Sequence, residues 1–336
     1  MDEFDRPAIG RRAGLLGAGA VLGALPFPAR SQGGWRPSQP VRIVVPAAAA
    51  GTTDIMGRLL APFLQERWGQ PAVVENRSGA GGTLGTAEVA RARPDGHTLL
   101  IGNIGPQSIA YSLFRNLPYR PDQLAPVSNM IRGPNALMLH PSVPARTVPE
   151  FVQYLRDRKG RLNYGTSGPG QSGHLSAVWF QQLTGTEATA VHFRGASPAM
   201  LALMAGDVDF QIDNLTTAVE QIRAGKVRAL GVTSADRIAQ MPELPALRET
   251  MPELASYDVS TWFGAFLPGG TPEPVVQAFN AQIKAMLDLP ATRQRFAEMG
   301  GVPAYGTAAE YATFVRAEIE KWRAVVQREG LQMDVG

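Results

Sequence analysis

Val41-Arg42-Ile43-Val44-Val45-Pro46-Ala47-Ala48-Ala49-Ala50-Gly51-Thr52-Thr53-Asp54 runs straight into IMGRLLAPFLQERWG, residues 55–69. The β-branched run reads as a strand, and the small residues after it as a bend. Asp54 opens a helix whose Ile55, Met56, Leu59, Leu60, Phe63 and Leu64 share one face, with Gly69 as its stop. The N–H groups of a helix's first turn have no partners within it, and the dipole is positive there. A strand–loop–helix of this kind therefore suits a carboxylate or phosphate. LNYGTSGPGQSGHLSAVWFQQL, residues 162–183, has the same form. Two such units suggest two jaws closing on one small anion.

Further along, strand patterns alternate with amphipathic helices in the βαβ manner. Strands are expected at Ala72–Glu75, Thr98–Gly102, Ala136–His140, Leu162–Gly165, Thr189–Phe193, Val208–Ile212, Arg228–Thr233 and Thr261–Leu267. A Gly-rich turn, Asn76–Gly82, leads into a helix at Thr83–Ala92, and a looser segment follows Gly102 as far as Arg120. Arg237–Ala255 holds three prolines and reads as a surface excursion. The pattern restarts near residue 137, which implies two lobes, 36–136 and 137–261. The C-terminal helices of 262–336 return to the first lobe, so the chain crosses between lobes twice and makes a hinge.

With 336 residues, 44% of them hydrophobic, the chain has enough apolar surface for two cores. A formal charge of +3 and no clustered Lys/Arg run give nucleic acid no basic stripe to bind. Cysteine is absent, which removes thiol nucleophiles, disulfides and Cys-based zinc sites. Residues 1–31 read as an export signal. Arg11-Arg12 precede the apolar stretch AGLLGAGAVLGALP, and Ala29-Arg30-Ser31 offers small residues for cleavage after Ser31. The paired arginines fit twin-arginine export, although Gly14 replaces the bulky apolar residue usual there and leaves the Sec route open.

Catalytic signatures are missing. No H-E-x-x-H, G-x-x-x-x-G-K-[ST] or C-x-x-C occurs, and the four histidines show no metal-ligand spacing, so neither metal nor cofactor is expected. The G-x-S-x-G pattern begins at Gly165 but meets Pro169. Gly168–Gly173 does satisfy G-x-G-x-x-G between a strand and a helix, which keeps open an exported α/β enzyme binding a dinucleotide. Against it, Pro169 stiffens the turn and the next strand runs into Arg194 rather than an acid. The anion site needs less. Ala50, Gly51, Thr52 and Thr53 let backbone amides approach a ligand, with Asp54 capping the helix. Thr166, Ser167, Gln171 and Ser172 supply neutral donors.

These blocks, together with VENRSGAGGTLGTAEVARARPDGHTLLIG, VHFRGASPAMLALMAGDVDF, IRAGKVRALGVTS and FLPGGTP, resemble the Bug-type periplasmic receptors of tripartite tricarboxylate transporters. The likeness runs from about Pro40 to Glu329. It implies a type II periplasmic-binding-protein fold: two α/β lobes joined by two hinge strands, with a ligand cleft between them. It implies a non-enzymatic, monomeric periplasmic receptor for a small organic carboxylate, with a membrane permease as possible partner. Carried onto this chain, it places Ala50, Gly51, Thr52, Thr53 and Asp54 on one jaw. Thr166, Ser167, Gly168, Gly170, Gln171, Ser172 and His174 fall on the other, with Asn103, Arg194, Gly195 and Asp213 lining the cleft. Where the family commonly has an aromatic and two prolines before a Gly-Gly-Gly-Thr-Asp turn, this chain has Ala47 to Asp54. Losing the aromatic at Ala47 leaves room for a bulkier or aromatic carboxylate.

Overall fold

In the computed structural model the strands are β1 (Val41–Val45), β2 (Ala72–Asn76), β3 (Thr98–Asn103), β4 (Leu124–Leu139) and β5 (Asn163–Thr166). They continue with β6 (Thr189–His192), β7 (Phe210–Asn214), β8 (Arg228–Val232), β9 (Ser260–Pro268) and β10 (Val302–Pro303). The helices are α1 (Thr52–Trp68), α2 (Thr83–Ala90), α3 (Ala110–Leu113), α4 (Val148–Arg158), α5 (Ser172–Thr184), α6 (Ala196–Ala205), α7 (Leu215–Arg223), α8 (Glu273–Asp288), α9 (Pro290–Glu298) and α10 (Ala308–Arg328). The structure describes residues 34–328 and 330–334. The export-signal reading of residues 1–31 lies outside them.

The strand order is β2-β1-β3-β9-β4-β7-β5-β6. β1 lies parallel between β2 and β3, β5 lies parallel between β6 and β7, and β4 and β9 run antiparallel to their neighbours. β4 joins the two halves. From Leu124 to Pro134 it pairs with β9, and from Asn135 to Leu139 with β7. The return path is stitched beside it: Thr233 N–H donates to Asn135 O (2.9 Å) and Val259 N–H to Thr233 O (2.8 Å).

Ordinary chemistry sets the elements. α1 has Gly51 as N-cap and a left-handed Gly69 as C-cap. α4 is capped by Thr147, whose hydroxyl accepts from Glu150 N–H (3.3 Å). One apolar core joins β1, β3 and α1 to Phe279, Ile283, Met286 and Leu287 of α8 and to Phe296 of α9, while α10 belongs to a core that takes in residues of both halves, Phe180 and Phe210 among them. A second lies among β4, α6, α7 and β8. α10 packs on β4, where Glu318 accepts from Trp262 Nε1–H (3.0 Å) and Tyr311 meets the Trp262 ring edge-on at 5.9 Å.

Three segments depart from expectation. The strand expected at Ala136–His140 is only the end of the long β4. Pro126, Asn129, Gly133 and Pro134 disguise the rest, and the strand absorbs its irregularity as register shifts between Pro126 and Ser128 and between Asn129 and Ile131. The supposedly loose stretch after Gly102 forms a buried π-helical turn, Gly105–Ile109, continuing into α3. Side chains hold it: Asn103 Oδ1 accepts from Gly105 N–H (2.9 Å), and Gln107 Oε1 from Asn103 N–H (2.7 Å). The 237–255 excursion is packed down, with Leu244, Ala246, Leu247 and Leu254 buried.

Gly264 shows how tightly the central strands meet. A Cβ there would lie 2.6 Å from Ser128 O and 2.2 Å from Tyr311 Oη. Gly264→Ala should therefore lower unfolding stability by about 1–3 kcal/mol in a urea titration. An unchanged midpoint would contradict this packing.

Candidate functional site

The strands deliver their C-terminal ends to one cleft of about 470 Å³. Its wall takes in the N-terminal ends of α1 (Gly51, Thr52, Thr53), α2 (Gly82), α5 (Gln171, Ser172), α6 (Gly195, Ala196) and α7 (Asn214). Each presents the positive end of a dipole, although three of these N–H groups are already engaged: Gly82 donates to Gly79 O (2.9 Å), Gln171 to Gly168 O (3.3 Å) and Asn214 to Asp213 Oδ1 (2.7 Å). Arg194 is the sole Asp, Glu, Lys or Arg in the wall; it is exposed and makes no described ion pair. The result is a site favourable to an anion, built almost entirely from neutral groups.

Of the residues expected to line it, the cleft brings together Gly51, Thr52, Thr53, Asn103, Ser167, Gln171, Ser172, Arg194 and Gly195. The others stand outside the wall and support it. Asp54 is buried and its carboxylate is already engaged. Oδ2 accepts from Ala50 N–H (2.8 Å) and Arg58 Nε–H (2.8 Å), and Oδ1 from Asn76 Nδ2–H (2.9 Å). Burial works against its charge most strongly, but those hydrogen bonds hold its pKa below the ordinary carboxylate value. Asp54 thus fixes the first loop, including the left-handed Ala50 (φ 62°), instead of facing the ligand space.

On the second jaw, Thr166 Oγ1 meets His192 Nδ1 (2.7 Å) and accepts from Gly168 N–H (3.2 Å). Gly168 (φ 135°) faces the 78–82 loop, where its Cβ would lie 3.2 Å from Gly81 Cα. Gly170 (φ 72°) is wedged against Leu113, and its N–H donates to His174 Nδ1 (3.2 Å). Asp213 is fully buried at the end of β7, and burial pushes its pKa up against hydrogen bonds from Asn214 N–H, Gln211 and Ser167. Ser172 Oγ donates to Asn135 Oδ1 (3.3 Å), tying the start of α5 to the point where β4 changes partners.

Several wall residues escape sequence reading. Ser78, Gly79, Ala80, Gly81 and Gly82 form a third loop, Thr261 and Phe263 come from β9, and Asn214 caps α7. The Gly-rich composition of 76–82 was the one available signal; the others depend on strand register. The jaws touch directly. Gln171 Nε2–H donates to Gly81 O (2.7 Å), Ser197 Oγ–H to Ala49 O (3.1 Å) and Ala48 N–H to Arg194 O (3.2 Å), and the hydroxyls of Thr52 and Thr216 bond each other.

His174 supplies a pH test. Burial first, then the neighbouring His192, lowers its pKa from 6.5 to about 4. As pH falls the unfolded chain therefore takes up this proton before the folded one, so the histidine's contribution to stability is complete above about 6.5 and lost toward 4. Urea midpoints should fall across that window, and fall less in His174→Asn, which keeps an acceptor for Gly170. Equal falls in both proteins would contradict the assignment.

Known proteins resemble this chain over most of its length. Residues 56–331 match the family model described as "Tripartite tricarboxylate transporter family receptor". Protein BugT of Bordetella pertussis is 33% identical over 300 residues, covering 88% of this chain and 91% of BugT. Among solved structures, Rpa4515 of R. palustris with adipate superposes with a TM-score of 0.85 at 34% identity, covering 88% of this chain and 99% of that one. MatC of Rhodopseudomonas palustris with bound malate gives 0.83 at 36% identity, covering 86% and 99%. With two α/β lobes, a cleft ringed by helix N-termini and this breadth of match, the chain belongs to the tripartite tricarboxylate transporter receptor family.

Proposed function

We propose that this protein is a periplasmic receptor that captures a small organic carboxylate between its lobes. Presentation to a membrane permease of the tripartite type would follow. The observation that carries this reading is the convergence of helix N-termini on a wall without an acidic side chain. A carboxylate there replaces its lost hydration with oriented N–H groups, which gain strength as closure excludes water. Apart from the exposed Arg194 the donors are neutral, so little permanent counter-charge traps the ligand, which suits a carrier that must release. The adipate and malate held by the two similar solved proteins support the same ligand class. Ala47, Leu84, Phe193 and Phe263 in the wall offer apolar contact to the ligand's carbon chain.

The dinucleotide reading of Gly168–Gly173 finds no support. At Gly168, the glycine a pyrophosphate would approach, the turn packs against the 78–82 loop through the Gln171–Gly81 hydrogen bond and the Gly168–Gly81 approach, and the family match gives no support to an enzyme. Binding without turnover is the activity we assign, by a single chain with no cofactor.

Thermal-shift screening of mono-, di- and tricarboxylates, followed by calorimetry, should find at least one ligand that raises the melting temperature. Gly51 then tests the loop. A Cβ there would come no nearer than 3.7 Å to any neighbour and the backbone is extended (φ −83°), so the fold accommodates a side chain. Gly51→Leu should weaken carboxylate binding by about thirtyfold, the loss of roughly 2 kcal/mol of charge-assisted hydrogen bonding, with little change in melting temperature. Unchanged affinity in Gly51→Leu would count against the loop model.

A further inference from the structure

Two buried polar atoms on the cleft wall have no partner: Asn214 Oδ1 and Thr261 Oγ1. Their residues are 8% and 1% exposed. A buried polar atom left unpaired costs free energy, so on a residue of a ligand cleft's wall it marks a demand that a ligand group could meet. The two come from different strands but flank one place. Asn214 lies two residues before Thr216, which closes the jaws onto Thr52. Thr261 pairs in register with Gly133, where a Cβ would lie 3.6 Å from Thr216 Cγ2. Asn214 and Thr261 therefore lie on either side of β4, opposite Asn135 and Gly133, where the chain crosses between the lobes.

The chemistry of these atoms is specific. Asn214 Oδ1 only accepts, so the missing partner must donate; Thr261 Oγ1 both donates and accepts. A hydroxyl satisfies both, giving its proton to Asn214 and accepting from Thr261. An ammonium group could donate to both oxygens but would leave the Thr261 hydroxyl proton without an acceptor. It would also set a cation among positive helix ends, with no acidic side chain in the wall and Asp54 already bound to Arg58.

We propose that Asn214 and Thr261 form a hydroxyl subsite, so that the receptor selects a hydroxylated carboxylate over the same acid without the hydroxyl and over its amino analogue. This rests on the carboxylate reading above and narrows it. Calorimetry on matched sets tests it: succinate, malate and aspartate; glutarate, 2-hydroxyglutarate and glutamate; phenylacetate, mandelate and phenylglycine. In at least one set the hydroxy acid should bind about tenfold or more tighter than both companions. Thr261→Val and, separately, Asn214→Ala should each reduce that preference to within about threefold. The preference is read as the affinity ratio of hydroxy to unsubstituted acid within each variant, and an unchanged melting temperature shows that the variant is folded. Thr261→Ser should keep the preference.

If the unsubstituted or amino acid binds as well as the hydroxy acid in every set, the hydroxyl subsite is overturned while the carboxylate reading stands. A preference that survives both substitutions overturns it too, and assigns the two atoms to bridging water. If no acid of any set binds, the carboxylate reading itself fails and the subsite with it. Either substitution decides the matter alone, so loss of one variant to misfolding leaves the other to answer.

Discussion

An unpaired backbone N–H at the start of a helix is the interaction on which this molecule is organised. A single such end gives a modest bias toward negative charge. Here the ends of α1, α2, α5, α6 and α7 all reach one cleft, because parallel strands flanked by helices release their connecting loops at the same edge. In the reading we propose, the fold makes an anion site from peptide groups, and side chains mainly hold those groups in position.

That division of labour explains why the charged residues sit where they do. Asp54 is drawn away from the cleft by Arg58, Asn76 and the Ala50 N–H, so its charge stabilises the loop without repelling a carboxylate. Burial pushes Asp213 toward its neutral form at the base of the second jaw. His174, held neutral down to about pH 4, remains an acceptor for Gly170. Ser172 and Asn135 link one jaw to the strand that crosses between lobes, so closure and the shape of that loop are mechanically connected. The direct contacts between jaws, Gln171 to Gly81 and Thr52 to Thr216, give the closed arrangement bonds of its own.

Much of this was legible in the sequence where the signal is local. A β-branched run, a small-residue bend and an amphipathic helix announce themselves within about 25 residues, and both jaws do so. The α/β class followed from the same alternation, while the periplasmic-binding-protein fold came from the family resemblance. Asp54 was harder, because whether a helix-start carboxylate faces a ligand or its own loop depends on Asn76, which lies 22 positions away. Thr261 and Asn214 were silent, since only strand register brings β7 and β9 to either side of β4. β4 hid behind Pro126 and Pro134, residues that argue against a central strand unless bulges accommodate them. The turn at Gly105–Ile109 hid for a related reason: its side-chain caps, Asn103 and Gln107, compete with ordinary helix signals.

Amide chemical shifts give the most direct view of whether backbone N–H groups bind the ligand. Titrating isotope-labelled protein with a binding carboxylate should move the ¹⁵N–¹H resonances of Gly51, Thr52, Thr53 and Ser172 furthest, together and saturably. Were those amides to stay in place while the large shifts gathered elsewhere, the carboxylate would be held by other means and the account would be wrong.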